Sequence, residues 1–159
     1  MQGDARVIEF LNKALTNELT AINQYWLHYR VLKNWGIEKL AEYERHESID
    51  EMKHADTLAD RILFLGGLPN FQALHKLKVG ENVEEILKAD LALELEAIPL
   101  LKDAIAHCEN VRDFTSREVF ERILESEEEH IDFLETQFAM IERMGLQNYV
   151  QLQSKPPEA

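Results

Sequence analysis

The residues Glu51-Met52-Lys53-His54-Ala55-Asp56-Thr57-Leu58 return in outline 76 positions on (127 − 51) as Glu127-Glu128-Glu129-His130-Ile131-Asp132-Phe133-Leu134. Both stretches carry Glu, His, Asp and Leu in the same order and spacing. Glu and His three apart project from one face of a helix, and the Leu four residues further on extends that face by a turn. Outward from these pairs the match continues. Glu18 stands 33 residues before Glu51 (51 − 18), and Glu94 stands 33 before Glu127 (127 − 94). Leu15, Glu18, Leu19, Ala21 and Ile22 align with Leu91, Glu94, Leu95, Ala97 and Ile98 at the same offset of 76 (94 − 18). The pattern is a twofold repeat of a helical hairpin.

Each long helix carries an inward stripe with steps of three and four. The first reads Leu11, Leu15, Glu18, Ile22, Tyr25, Tyr29, and the second includes Glu44, Glu47, Glu51, His54, Leu58, Ile62. The third reads Leu87, Leu91, Glu94, Ile98, Leu101, Ile105, and the fourth Ile123, Glu127, His130, Leu134, Phe138, Ile141. All four are apolar except near the middle. Burying one unpaired carboxylate costs at least several kcal/mol. Four at one depth would overwhelm a domain whose whole stability is about 5–15 kcal/mol. No Lys or Arg occupies these positions, so a metal is the economical counter-charge. Four carboxylates and two imidazoles, with no thiolate, suit iron or manganese better than a structural zinc.

The rest of the chain agrees with a bundle. Periodicity predicts helices over 7–34 and 38–65, then no sustained period from Gly66 to Gly80, read as a long crossover. Asn82, with Glu85 three residues on, caps a third helix to about Asn110. Asp113 caps a fourth, ending near Met144 with Gly145 as its stop. A short fifth helix spans 146–152, making one domain over 1–152 with a polar tail at 153–159. Pro99 falls inside the third helix and predicts a kink, because it has no N–H for the Leu95 carbonyl. The expected fold is all-α: a four-helix bundle with one long crossover and a short C-terminal helix.

Thirty acidic residues against seventeen basic ones leave a net charge of -13, which repels nucleic acid and anionic membranes. No apolar run approaches membrane-spanning length, and no charged-then-apolar leader is visible. The lone Cys108 excludes an internal disulfide and a Cys-based zinc site. A reducing cytoplasm is the expected setting.

With these residues in view, the chain resembles bacterioferritins over nearly its whole length. The resemblance lies in Asn17-Glu18-Leu19, Ala21-Ile22-Asn23-Gln24-Tyr25 and the run His46-Glu47-Ser48-Ile49-Asp50-Glu51-Met52-Lys53-His54-Ala55-Asp56. It continues in Arg61-Ile62-Leu63-Phe64-Leu65, Gly67-Leu68-Pro69-Asn70, Asp90-Leu91-Ala92-Leu93-Glu94-Leu95 and Met144-Gly145-Leu146-Gln147-Asn148-Tyr149.

The resemblance implies a ferritin-like fold and a ferroxidase centre of two iron ions per subunit. Glu51 and Glu127 would bridge the irons, with Glu18 and His54 completing one and Glu94 and His130 the other. O2 or H2O2 would be the oxidant, and a shell of twenty-four subunits would store the ferric mineral. Met52 would share one haem b with its copy in a second subunit, and a ferredoxin would supply electrons for iron release. The alternative for Met52 is packing in an interface.

His46 and Asp50 would bind iron on the inner surface, or simply form a solvated face. Tyr25, two turns after Glu18, is an electron donor or a hydrogen-bonded core tyrosine. Leu58 and Phe133 stand where some relatives carry Tyr and Trp, which puts a multi-aromatic radical relay in doubt. Two rival readings use the same features. One is a di-iron oxygenase or peroxidase. The other is a silent subunit that only builds a shell and carries haem.

Overall fold

The computed structural model describes residues 1–154. Five helices follow in order: α1 Ala5–Asn34, α2 Glu38–Phe64, α3 Val83–Asn110, α4 Phe114–Met144 and α5 Leu146–Gln153. Of the tail expected at 153–159, Gln153 completes α5, and everything beyond Ser154 lies outside the described residues.

Local chemistry sets the ends. Asp4 accepts hydrogen bonds from the Arg6 and Val7 amides and starts α1 two residues before its apolar period begins. Asn82 accepts from the Glu85 amide, while Glu85 reaches back to the Glu81 amide. Asp113 caps α4 through the Ser116 amide and is itself gripped by Arg61 at 3.0 Å. Gly36, Gly66 and Gly145 close their helices in the left-handed region, with φ of 80°, 86° and 83°. α3 runs through Pro99 without a break. Pro99 is exposed, so water can serve the carbonyl that its ring leaves free.

α1 pairs with α2 and α3 with α4 as two hairpins, and α1 packs on α3 to join them. Apolar layers fill both ends of the bundle. One holds Leu11, Leu15, Leu58, Ile62, Leu101 and Phe120. The other holds Leu32, Leu40, Ile86, Leu87, Leu134 and Tyr149, the last brought in by α5 with its hydroxyl donating to Gln137. The charged belt lies between them.

The crossover is fastened along one stripe of α1. Side chains of Asn12, Thr20, Gln24 and His28 accept backbone N–H bonds from Asn70, His75, Lys78 and Gly80, at 2.8, 3.0, 2.9 and 3.1 Å. These acceptors satisfy amides that the irregular segment cannot pair with itself. Gly80 must be glycine, because a Cβ there would meet the Ile86 amide nitrogen at 2.3 Å.

Candidate metal centre

Glu18 comes from α1, Glu51 and His54 from α2, Glu94 from α3, and Glu127 and His130 from α4. The fold brings all six together. All are buried except His54, whose side chain is 19% exposed. Ligand atoms of Glu18, Glu51, His54 and Glu127 lie within 4.8 Å of one another, and so do those of Glu51, Glu94, Glu127 and His130. The two groups share Glu51 and Glu127, one carboxylate from each hairpin.

His54 Nδ1 faces Glu18, Glu51 and Glu127 at 3.6, 3.5 and 3.7 Å. His130 Nδ1 faces Glu51, Glu94 and Glu127 at 3.3, 3.4 and 3.6 Å. Two ligand atoms each about 2.0–2.2 Å from a common ion stand roughly 3–3.7 Å apart, so these gaps are the right size for a cation. The atoms themselves ask for one. Glu18 Oε2, Glu51 Oε1, His54 Nδ1, Glu127 Oε1 and His130 Nδ1 are buried without a hydrogen-bond partner. Orphaned polar atoms are rare in folded proteins, and five converging on one space form a donor set suited to a cation. The residues fit a pair of divalent ions.

Without that charge, protons take its place. Burial, then the charge of Glu127, pushes the Glu18 carboxyl up to about 8. Burial opposes a charged His130, yet hydrogen bonds to Glu127 and Glu47 outweigh it and lift its pKa to about 10. His54 is raised as well, by Glu18 against the opposing effect of burial. Metal binding has to displace such protons.

A family profile described as a ferritin-like domain matches residues 8–144. The bacterioferritin of Rhodobacter capsulatus is 49% identical over 159 residues, covering 100% of this chain and 99% of its own. The chain belongs to the bacterioferritin family. The bacterioferritin of Mycobacterium leprae (strain TN) is 50% identical over 158 residues, covering 99% of each chain. That of Brucella melitensis biotype 1 is 48% identical over 158 residues, covering 99% of this chain and 98% of its own.

In this bacterioferritin-family chain Met52 and His46 sit apart from the belt, whereas Asp50 and Tyr25 touch its edge. Met52 is 42% exposed on the outside of α2. His46 is exposed beside Glu42 at 3.4 Å, whereas Asp50 comes within 4.8 Å of Glu47 and His130. His46 and Asp50 therefore do not share one cluster. Tyr25 is fully buried and donates its hydroxyl to Glu94, and burial raises its pKa well above the ordinary value, so it stays a neutral phenol. Leu58 is buried in the apolar core, and Phe133 stacks on Tyr43 with ring centroids 3.7 Å apart.

Sequence reasoning gave no role to Glu47, whose carboxylate meets His130 Nε2. It also passed over a second buried cluster, His28, Glu44 and Asp90. His28 Nε2 accepts the Gly80 N–H, so Nδ1 carries hydrogen and donates to Asp90 at 2.9 Å. Gln24 also donates to Asp90, at 3.0 Å. Burial, then the charge of Asp90, holds the Glu44 carboxyl well above its usual range. Its proton can pair with Asp90 Oδ2. No imidazole lone pair is left for an ion, although both Glu44 oxygens and Asp90 Oδ2 are buried without a hydrogen-bond partner. One signal was available: Glu44 lies in the inward stripe, and Asp90 sits one turn before Glu94.

No helix among the described residues is long and apolar enough to cross a membrane.

Proposed function

We propose that the chain is an iron-storage ferroxidase, with Fe(II) as its substrate. The observation that carries this reading is the convergence of five partnerless buried ligand atoms, in two groups sharing two glutamates. Family membership supports iron as the ion. Glu51 and Glu127 bridge the two irons, Glu18 with His54 completes one, and Glu94 with His130 completes the other. Two Fe(II) ions give two electrons to O2, which with two protons becomes H2O2; H2O2 can itself serve as the oxidant. The carboxylates change binding mode as the ions become ferric, and protons held at Glu18 and His130 leave when iron binds.

The void directly against the carboxylates is about 10 Å³, while a larger open cavity of about 440 Å³ reaches the centre only at His54. The presence of all six ligands, and their mutual geometry, favours an active subunit over a silent one. The wider assembly follows the family. Twenty-four copies form a cytoplasmic shell around ferric mineral, two Met52 side chains share one haem b, and a ferredoxin returns electrons for iron release. Asp50, and His46 on the exposed face, receive iron on the inner surface.

Aerobic Fe(II) addition followed by ferric absorbance, with haem bands and native mass read on the same sample, tests the whole. A fast phase saturating at about two Fe(II) per chain is expected. Glu18→Ala or His130→Ala should abolish it while the shell still assembles. Unchanged stopped-flow rates in those variants would sink the assignment. Met52→Leu should remove bis-methionine haem bands and spare oxidation.

A further inference from the structure

The ligands obey the repeat, but the residues that hold them do not. Glu94 receives the Tyr25 hydroxyl, and His130 has Glu47 against its outer nitrogen, with Ser126 Oγ at 3.5 Å. At the 76-residue offset, the mate of Tyr25 is Leu101 (101 − 25) and the mate of Glu47 is Ile123 (123 − 47). Neither can form a hydrogen bond through its side chain. Glu18 Oε2 accordingly stays without a partner, whereas neither Glu94 oxygen is orphaned; the inward Nδ1 of His54 and of His130 is unpartnered in both halves.

Exposure follows the same division. The His54 side chain is 19% exposed against 7% for His130. His54 and Ile123 line an open cavity of about 440 Å³ between α2 and α4, which also carries Asp50, Lys53 and Arg122. One half of the centre is braced and dry. The other is unbraced and meets solvent.

A carboxylate on the outer nitrogen of a ligating imidazole fixes its tautomer and ring orientation and raises its basicity. We propose that Glu47 is a positioning residue that makes the two metal positions unequal. A divalent cation binds first and more tightly at Glu94 and His130, and second and more weakly at Glu18 and His54, the position that opens to the cavity. Tyr25 adds to the bracing by holding Glu94. This inference rests on the two-metal reading of the centre.

Titrating the metal-free protein with Co(II), followed by its visible ligand-field bands and by calorimetry, tests the order without turnover. Two steps per chain are expected, the first tighter. Glu47→Leu should weaken the first step by about 10–100-fold and leave the second in place. Glu47→Gln should fall between, because its amide oxygen still accepts from Nε2–H. A general loss of structure would weaken both steps alike.

His54→Ala and His130→Ala decide the order even if Glu47→Leu does not fold. The tight step must survive the first and vanish in the second. Two equal steps in the wild type, or a tight step untouched by Glu47→Leu, would overturn the inequality and leave the two-metal reading standing. No Co(II) bound at the six residues would overturn both.

Discussion

Two clusters of buried carboxylate and imidazole share this bundle, and they meet the same electrostatic problem in different ways. At the belt, five polar atoms point into one space without partners. One turn along α3, His28 and Gln24 both donate to Asp90 Oδ1, while Asp90 Oδ2 and both Glu44 oxygens stay without partners and burial raises the Glu44 carboxyl well above its usual range. The repeat makes the contrast sharper. Each belt ligand has another belt ligand as its mate. At the same offset Glu44, Gln24 and His28 face Phe120, Leu100 and Ala104, and Asp90 faces Ala14. The belt is thus part of the duplicated plan, while the second cluster belongs to one end only. There it receives the Lys78 and Gly80 amides and anchors the crossover. Acidic residues in a core do not by themselves make a metal site; here the imidazoles differ, because His54 and His130 each turn an unpartnered Nδ1 inward while both nitrogens of His28 are bonded.

The largest expected break in this comparison is Asp90→Ala. It strands the His28 Nδ1–H and a Gln24 N–H in a dry interior, and should cost about 3–5 kcal/mol in thermal or denaturant unfolding. Glu127→Ala in the metal-free protein relieves crowding instead, and should cost far less. Equal losses would mean that the two clusters do not differ as described.

Metal loading comes next. Co(II) or Zn(II) at about one hundred times its dissociation constant should stabilise the wild type by about 2.7 kcal/mol. The same gain is expected in Glu44→Gln and none in Glu127→Ala. A gain that required Glu44 would move the metal to the second cluster.

Acidity separates the clusters more finely. The Glu18 carboxyl rises from 4.5 to about 8 on folding, so folding takes up a proton there. Its contribution is fully present below about 4.5 and is lost as pH rises through about 8. The metal-free protein should therefore lose stability across that window, and saturating metal should flatten the curve. A curve unchanged by metal would remove Glu18 from the site.

The smallest effect expected is for Glu44→Gln. An amide replaces an already protonated acid of the same shape, so a shift under about 1 kcal/mol is anticipated at neutral pH. A loss of several kcal/mol would show that Glu44 is ionised and paired.

The six belt residues were legible because helix periodicity, equal 33-residue spacings and the repeat all constrain the same positions. The helix ends were legible from Asn82, Asp113 and Gly145, which act through their immediate neighbours. The second cluster was not legible. Its hydrogen bonding depends on amides of Lys78 and Gly80, more than fifty residues from their acceptors Gln24 and His28, in a segment without periodicity. Glu47 falls between these cases. Its mismatch with Ile123 is visible in the repeat, but the meaning depends on which imidazole nitrogen turns outward, and only the packed bundle decides that. Pro99 lies inside α3 as the sequence placed it, and its exposed position lets the helix continue where an interior proline would have cost a buried hydrogen bond.

Each half of the belt draws three residues from one hairpin and one from the other, through Glu127 for the first and Glu51 for the second. Hairpins are local in sequence and can form early, whereas the complete ligand set exists only after they dock. A metal bound there acts as a clasp that closes late. It should slow unfolding, which must first pull the hairpins apart, and leave the folding rate nearly unchanged. Its main benefit to the chain would then be a longer lifetime of the folded state.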